Sequence, residues 1–435
     1  SDFEGADQTL LHAYDGGVGT EYSWLTITGG SGNYSGEPYE IRFEQYDHPN
    51  VEARMQSNAL YRDVAAYLDI TFAFDTTQAT NTNRVKCWVN GTEITWKGSP
   101  TYPARNLDTY FNAALPQRIG VGLGYFEGYM ARSAMLDSLT ITDPETDGFG
   151  EVTDDGFWQI NDVSELTFGT NGFLIEGGSA IAAGTDSSGN SNDFSKTGTI
   201  TATNDSPTND ADNGYGNYAT FNPLISEVSS SRAYADGNRK VTLNNADDGA
   251  ETTMFVPSGL KGYCEITIVT NAALPTVGIR RKDSQQPLSS TNLSGTLEWG
   301  YRDTGQKRGG GASAADYGDT FTAGDVIGVA IDTVNGALWF SKNGTWQASA
   351  TIGEVNAGTT TNAAFTGLAG YGYTFAVANS ASGTTGDSFT ANFGATAFEY
   401  TQPTGFIALS TANLSTPAII NPDDHFHSEV VTHNG

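Results

Sequence analysis

Carboxylates are the side chains here with the most obvious catalytic potential, because paired carboxylates on jelly-roll strands hydrolyse glycosidic bonds. A retaining glycosidase needs two carboxyl groups about 5–5.5 Å apart. Residues two apart on one strand would point to the same face and meet that need. Glu40 and Glu44 are four residues apart, while Asp69 and Glu265 are each followed two residues later by threonine. The strands therefore offer no such pair, and we expect a protein that is not an enzyme.

The histidines and cysteines were the next candidates for chemistry. No G-x-S-x-G motif accompanies the histidines, so a hydrolase nucleophile is not indicated. His425 and His427 would place two imidazoles on one strand face, which suits a metal; ordinary polar positions of an edge strand are the more common outcome. Cys87 and Cys264 have no C-x-x-C spacing and each lies in a strand-like segment, so we expect buried free thiols.

The charge balance excludes two classes of partner. The 435 residues carry 21 Lys+Arg against 50 Asp+Glu, a net charge of −29. Nucleic-acid binding needs clustered cations, and Arg280-Arg281-Lys282 and Lys307-Arg308 are short and isolated. No apolar run approaches the roughly 20 residues that span a bilayer. We therefore expect no nucleic acid and no membrane insertion.

The elements that must position any site are short strands. Gln8 to Tyr14, Tyr67 to Asp75 and Arg84 to Val89 alternate with period two within residues 1–145. Asn90-Gly91 predicts a tight hairpin after the third of these segments, because it favours positive φ at both turn positions. With 52 glycines and only 16% charged residues, the composition favours an all-β chain.

A second β-rich region follows a change of character. Residues 146–228 are rich in Gly, Asn, Asp and Ser and predict a loop-rich connector. Residues 229–400 again read as strands, most clearly in the double hairpin from Asp325 to Trp346. Residues 401–435 form a C-terminal segment that we expect to lead to a further domain. The fold class predicted is two antiparallel jelly-roll or β-sandwich domains in tandem.

The first region resembles the laminin-G-like branch of the concanavalin-A-like jelly rolls. The resemblance lies in YLDITFAFDT, RVKCWVNGTEI and RIGVGLGYFEGYMARSAMLDSLTI, and the family's usual opening strand is missing. Relatives in that family often hold Ca²⁺ at the sandwich rim. By residue type, Asp75 at a strand end and Asp108 in a loop are the weak candidate ligands for a Ca²⁺ cofactor.

The second region resembles the SPRY domain, through DVIGVAIDTVNGALWFSKNGTW. That family's fold is also a bent sandwich of two antiparallel sheets. Trp339, Phe340 and Trp346 would suit a sugar-stacking platform. The resemblance places Trp339 or Phe340 in the core, and strand alternation turns one of this adjacent pair inward, so core packing is favoured over ligand contact.

The connector is similar to segments of large tail-fibre-like proteins of tailed phages. FGTNGFLIE, GTDSSGNSNDF, TNDSPTN and NYATFNPL occur here in the order found in those proteins. The resemblance implies a piece of an external virion appendage, a fibre or tailspike, that contacts a host cell-surface glycan or protein and other virion proteins. It also implies a homo-oligomer, with a trimer favoured. Two alternatives are a purely structural capsid decoration or fibre spacer and, ranked third, a polysaccharide-degrading tailspike enzyme.

Overall fold

The computed structural model describes most of the chain in segments. These are residues 7–14, 21–29, 37–62, 66–122, 124–137, 139–153, 156, 158–177, 183–198, 200–207, 214–224, 232–245, 247–284, 292–380 and 386–414. The chain divides into two compact units, the first within Ser1–Ala202 and the second within Thr203–Ser415. No described helix is long and apolar enough to cross a membrane.

The first unit is built from twelve described strands arranged in antiparallel sheets. Its main sheet has the order β4-β3-β2-β1-β8, and a three-stranded sheet has the order β5-β6-β7. Strand β9 pairs with β12, and β10 pairs with β11. The strands are β1 (Gln8–Tyr14), β2 (Tyr22–Ile27), β3 (Ile41–Asp47), β4 (Asn50–Gln56), β5 (Ile70–Phe74), β6 (Val85–Val89), β7 (Thr92–Glu93), β8 (Gln117–Ile119), β9 (Arg132–Met135), β10 (Gly150–Val152), β11 (Trp158–Ile160) and β12 (Phe173–Glu176).

An aromatic layer holds the two larger sheets of the first unit together. Phe43 and Met55 from the five-stranded sheet are buried against Phe74 and Val85 of the three-stranded sheet. The rings of Phe43 and Phe74 lie 4.7 Å apart, tilted as aromatic pairs prefer. Alternate residues of each strand supply this layer, which is why the period-two pattern of the sequence predicted it.

Charged side chains are buried on the outer face of the main sheet. Glu44 is fully buried and accepts hydrogen bonds from Arg42 and Arg54, both at 2.5 Å, and from the Tyr22 hydroxyl at 2.7 Å. Burial alone would raise the pKa of Glu44, but the bonds from Arg54, Tyr22 and Arg42 hold it below its ordinary value. The carboxylate is therefore charged and paired, which is how a buried charge is tolerated.

The loop-rich segment 146–228 contributes to the cores of both units. In the first unit, Phe149, Phe168 and Leu174 form a buried cluster. In the second unit, Phe221 is fully buried and its ring meets that of Phe393 at 5.9 Å. Of the aromatic residues in this segment, Phe157 lies outside the described residues.

Trp158 shows how closely this segment approaches the first sandwich. Its Nε1 donates to the Asp69 carboxylate at 2.9 Å. Gly91, in the predicted hairpin turn, has φ 73° after Asn90 with φ 49°. A Cβ on Gly91 would come within 2.3 Å of the Trp158 ring, and a Cβ on Gly150 would come equally close. Glycine is needed at Gly91 both for the turn and for the room it leaves to the indole.

The second unit is a sandwich of two larger antiparallel sheets. One has the order β13-β14-β26-β16-β21-β22-β23, with β24 also pairing with β22; the other has the order β15-β25-β17-β18-β19-β20. Its elements are β13 (Arg232–Ala235), β14 (Lys240–Leu243), β15 (Gly249–Glu251), β16 (Lys261–Thr270), β17 (Thr276–Arg281), β18 (Glu298–Arg302), β19 (Gln306–Gly309), β20 (Ala312–Asp316), β21 (Val326–Asp332), β22 (Ala337–Lys342), β23 (Thr345–Trp346), α1 (Ile352–Ala357), β24 (Phe365–Thr366), β25 (Tyr373–Ala378) and β26 (Asp387–Asn392). The predicted fold class, all-β with two antiparallel sandwiches, is confirmed.

The predicted double hairpin forms strands β21, β22 and β23 at one end of the first of these sheets. Strand β21 pairs with β22 through a turn that Asp332 organises, since its Oδ1 accepts the N–H groups of Val334 and Asn335, each at 2.9 Å. Lys261 adds an ion pair to Asp332 at 2.9 Å. Burial would raise the pKa of Asp332, but donation from Asn335 and the Lys261 charge lower it. The turn is thus held by a buried, charged aspartate.

Removing a core ring from this hairpin should cost much of the unit's stability. Phe340 is fully buried between the sheets. We expect Phe340→Ala to lower the free energy of unfolding by about 3–5 kcal/mol, because it removes buried apolar surface and leaves a cavity. Urea unfolding measures this, with Val334→Ala in the same hairpin as the control. Val334 is 54% exposed, so its truncation should change stability by less than about 0.5 kcal/mol. Equal effects of the two substitutions would contradict the placement of Phe340.

The first unit should lose stability in mild acid through His12. Burial, aided by the Arg118 charge, lowers the pKa of His12 from 6.5 to about 4. Between those pH values the unfolded chain takes up a proton that the folded chain does not, so stability present above pH 6.5 is lost as the pH falls. This contributes at most about 1.4 kcal/mol per pH unit. Scanning calorimetry from pH 7 to pH 5 should show a shallower decline for His12→Gln, and parallel profiles would count against the buried neutral imidazole.

Candidate functional site

Four loops meet at one end of the second unit. The N–H of Lys282 donates to the Gly372 carbonyl at 2.9 Å, which joins the segment after β17 to the one before β25. Gly370 donates to the Thr333 carbonyl at 3.3 Å, and the Thr333 hydroxyl lies 2.7 Å from the Leu260 carbonyl. These bonds bring together residues far apart in the sequence. We call the side chains of this end the loop surface: the exposed Phe255, Lys282, Val334 and Tyr371 and the half-buried Leu260 and Arg281.

The loop surface exposes more apolar area than an isolated side chain would. Phe255 is 36% exposed, Tyr371 44% and Val334 54%. Single exposed apolar residues are common, but several on one loop cluster mark a binding surface. Gly372 permits the close approach of two of the loops, since a Cβ there would lie 2.8 Å from the Phe255 ring.

Two cations lie against these aromatic rings. The Arg281 guanidinium is 4.1 Å from the centroid of the Tyr371 ring and also pairs with Asp283 at 2.5 Å. The Lys282 ammonium lies 5.6 Å from the Phe255 ring and forms no ion pair with any residue the structure describes. In a chain of net charge −29, an unpaired cation beside exposed rings provides local attraction for an anionic group.

The structure joins the loops that carry the two predicted calcium ligands but gives Asp75 another role. The loops that carry them are joined by a bond from Asn106 N–H to the Thr76 carbonyl at 2.9 Å. The Asp75 carboxylate accepts from Gln78 and Thr77, each at 2.5 Å, and these bonds lower its pKa. Asp108 is exposed. No group of three or more His, Cys, Asp or Glu residues among the described positions could hold a metal. A calcium site at Asp75 and Asp108 stays a prediction.

The aromatic residues considered as a sugar platform lie in the core. Phe340 belongs to the main cluster between the sheets, whereas Trp339 and Trp346 form a second buried cluster with Tyr263. The expected alternation would have left one of Trp339 and Phe340 outside. Both are fully buried, because the segment after β26 places Phe398 and Phe406 on the outer face of this sheet.

The carboxylates considered for catalysis are each held by structural partners. Glu40 pairs with Lys97 at 2.5 Å, and Asp69 accepts from Trp158. Glu265 accepts the backbone N–H groups of Glu399 at 2.7 Å and Tyr400 at 2.9 Å, which fastens the segment after β26 to β16. Cys87 and Cys264 are both buried free thiols, as predicted. His425 and His427 lie outside the described residues.

Sequence reasoning missed the loop surface although it had noticed part of it. Arg281 and Lys282 stood out only as a basic stretch too short for nucleic acid. Their aromatic partners lie in loops beyond β15 and β24, and no local spacing links them. The sequence signal that could have indicated this surface is the two adjacent cations, Arg281 and Lys282, at the end of a strand in a strongly acidic chain.

Comparisons with known proteins identify one family in this chain. A family model of the SPRY domain matches residues 261–395, so the chain contains a SPRY domain. The chain is similar to the crystal structure of the SPRY domain of human HERC1, with 18% identity and a TM-score of 0.30. That match covers 39% of this chain and 96% of the other. No curated protein matches the chain.

Proposed function

We propose that the SPRY domain of this chain is a protein-interaction module that binds an acidic segment of a partner protein at the loop surface. The observation that carries the proposal is the pairing of exposed rings with cations, Arg281 on Tyr371 and Lys282 on Phe255. Loops held on a rigid sandwich are where binding residues concentrate. An interaction role is also the usual one for a domain of this family.

The chemistry of the loop surface defines the partner. Tyr371 and Phe255 offer flat apolar area, and aromatic and arginine side chains dominate the energetics of protein interfaces. Lys282 offers a charge without a competing carboxylate among the described residues, whereas Arg281 would have to share its guanidinium with Asp283. A peptide segment in which carboxylates flank one aromatic or aliphatic side chain would match both the apolar area and the charge of Lys282.

At the level of the whole chain, we propose an external phage fibre or tailspike segment that contributes host-surface recognition without catalysis. The support is the order of connector motifs between the two sandwiches, which resembles large tail-fibre-like proteins. A homo-oligomeric fibre, with a trimer favoured, belongs to the same proposal. The loop surface favours recognition over a purely structural spacer, because a spacer has no use for exposed rings beside a cation that pairs with no described carboxylate.

The first test is binding to a peptide array in which carboxylates flank one aromatic or aliphatic residue. We expect the full chain to bind such peptides, and Lys282→Glu or Tyr371→Ala to weaken the best of them at least tenfold, which is about 1.4 kcal/mol. Lys196→Glu reverses the charge of an exposed lysine in the first unit and should leave binding unchanged.

Three outcomes would oppose the peptide-binding proposal. One is that no acidic peptide binds more tightly than the same peptide with its carboxylates neutralised. A second is an equal loss with Lys196→Glu, since binding would then follow net charge alone. The third is binding of an acidic polysaccharide, with no peptide bound, through the same two residues.

The fibre proposal is tested by adsorption. The purified chain should bind cells of the host and reduce phage adsorption in proportion to its concentration, and Lys282→Glu should reduce this competition. Failure to bind cells or to block adsorption would leave the spacer role as the better account. Release of reducing sugar from host polysaccharide would overturn the non-catalytic part of the proposal.

A further inference from the structure

The end of the sandwich opposite the loop surface contains two carboxylates that share one turn. Strand β17 runs from Thr276 at this end to Arg281 at the loop surface. Residues 271–275, which connect β16 to β17, form the turn. Asp387, at the start of β26, accepts the N–H groups of Ala272 at 2.6 Å and Ala273 at 3.1 Å through Oδ1. One oxygen of this carboxylate is therefore committed to the turn.

Asp303, just after β18, holds the same turn from the other sheet. Its Oδ2 accepts from the Asn271 side-chain amide at 3.3 Å, and its backbone N–H donates to the Pro275 carbonyl at 3.1 Å. Asp303 bonds to Asn271 and Pro275, and Asp387 bonds to Ala272 and Ala273, so both carboxylates border the same turn. The charge of Asp387 is close enough to raise the pKa of Asp303.

Each carboxylate has one buried oxygen without a hydrogen-bond partner among the described residues. Asp387 is fully buried, and no described group donates to its Oδ2; the Oδ1 of Asp303 is likewise buried without a described donor. Neither residue forms an ion pair with a described side chain, although the neighbouring Arg302 charge lowers the pKa of Asp303. Unpaired buried carboxylate oxygens are costly.

The described surroundings of Asp303 and Asp387 supply too little positive charge to offset the two carboxylates. Burial is the largest influence on both carboxyl groups and raises the pKa of each. For Asp387, the N–H groups of Ala272 and Ala273 and the nearby Asn379 amide oppose this rise without cancelling it. A cation between the two carboxylates would remove both the repulsion and the lack of partners.

We propose that Asp303 and Asp387 bind a divalent cation, Ca²⁺, through Asp303 Oδ1 and Asp387 Oδ2. The donor set selects the ion: Ca²⁺ accepts carbonyl, amide and water oxygens beside carboxylates, whereas Zn²⁺ sites are usually completed by His or Cys. No third His, Cys, Asp or Glu joins the pair among the described residues. The ion would fix the turn at residues 271–275, and it is independent of the peptide binding proposed for the loop surface.

The test is a calorimetric titration of the metal-free full chain with CaCl₂, paired with thermal unfolding in CaCl₂ and in EDTA. We expect binding at a ratio of one Ca²⁺ per chain from this site and a higher melting temperature of the second unit in Ca²⁺. A ligand that prefers the folded state raises that temperature by mass action.

Matched substitutions locate the ion. Asp303→Asn and Asp387→Asn should each weaken Ca²⁺ binding at least tenfold and abolish the thermal shift. Asp316→Asn, an exposed carboxylate on β20 of the same unit, should keep both. Asp387 also supports the turn, so the less buried Asp303→Asn variant keeps the test valid if Asp387→Asn does not fold.

Two results would overturn the proposal. The first is the lack of a calcium-dependent shift in the wild-type chain, or a shift that both Asn variants retain, which would indicate adventitious surface binding. The second is that Ca²⁺ has no effect on the wild-type chain, while its second unit becomes more stable as the pH is lowered towards 5. In this case the gain in stability should be absent from Asp303→Asn. Because raised pKa values favour the protonated fold, that result would mean that the pair shares a proton.

Discussion

The apolar contact between the two sheets of the SPRY-containing unit is the constraint on which the rest of that unit depends. Ile266 and Val329 from one sheet and Val277 and Phe375 from the other are all buried in one cluster. This contact holds the two sheets together and thereby positions the loops at both ends of the longer strands. The loop surface lies at one set of ends and the Asp303–Asp387 pair at the other.

Buried carboxylates in the two units differ in how completely their charge is paired. Glu44 in the first unit and Asp332 in the second are buried, but both have cations and N–H donors, and their pKa values are lowered despite burial. Such groups maintain the geometry of a sheet face or a turn. Asp387 is equally buried, and burial prevails over its donors, so its pKa is raised. The difference lies in the partners: Glu44 and Asp332 each pair with a cation, whereas Asp387 pairs with no described cation.

The sequence predicted the strands that alternate and missed those that do not. Strand β1 was predicted with the bounds that the structure gives. Strand β25, Tyr373–Ala378, was missed because all six residues are buried and no period-two pattern marks it. The loop surface was beyond prediction because Phe255 and Tyr371 meet only through bonds between distant loops. Only the aromatic residues of the connector indicated from the sequence that it contributes to both cores.

The charge of the whole chain bears on the speed with which an acidic partner would reach the loop surface. At low ionic strength the field of 29 excess negative charges extends well beyond the surface, and the partner is repelled before it meets Lys282. Salt shortens that range to about 10 Å at 0.1 M, while the cation acts at contact distance. Association should therefore become faster as salt is added, the reverse of ordinary electrostatic steering. Encounter would be slow in dilute buffer and least hindered at the ionic strength of natural fluids.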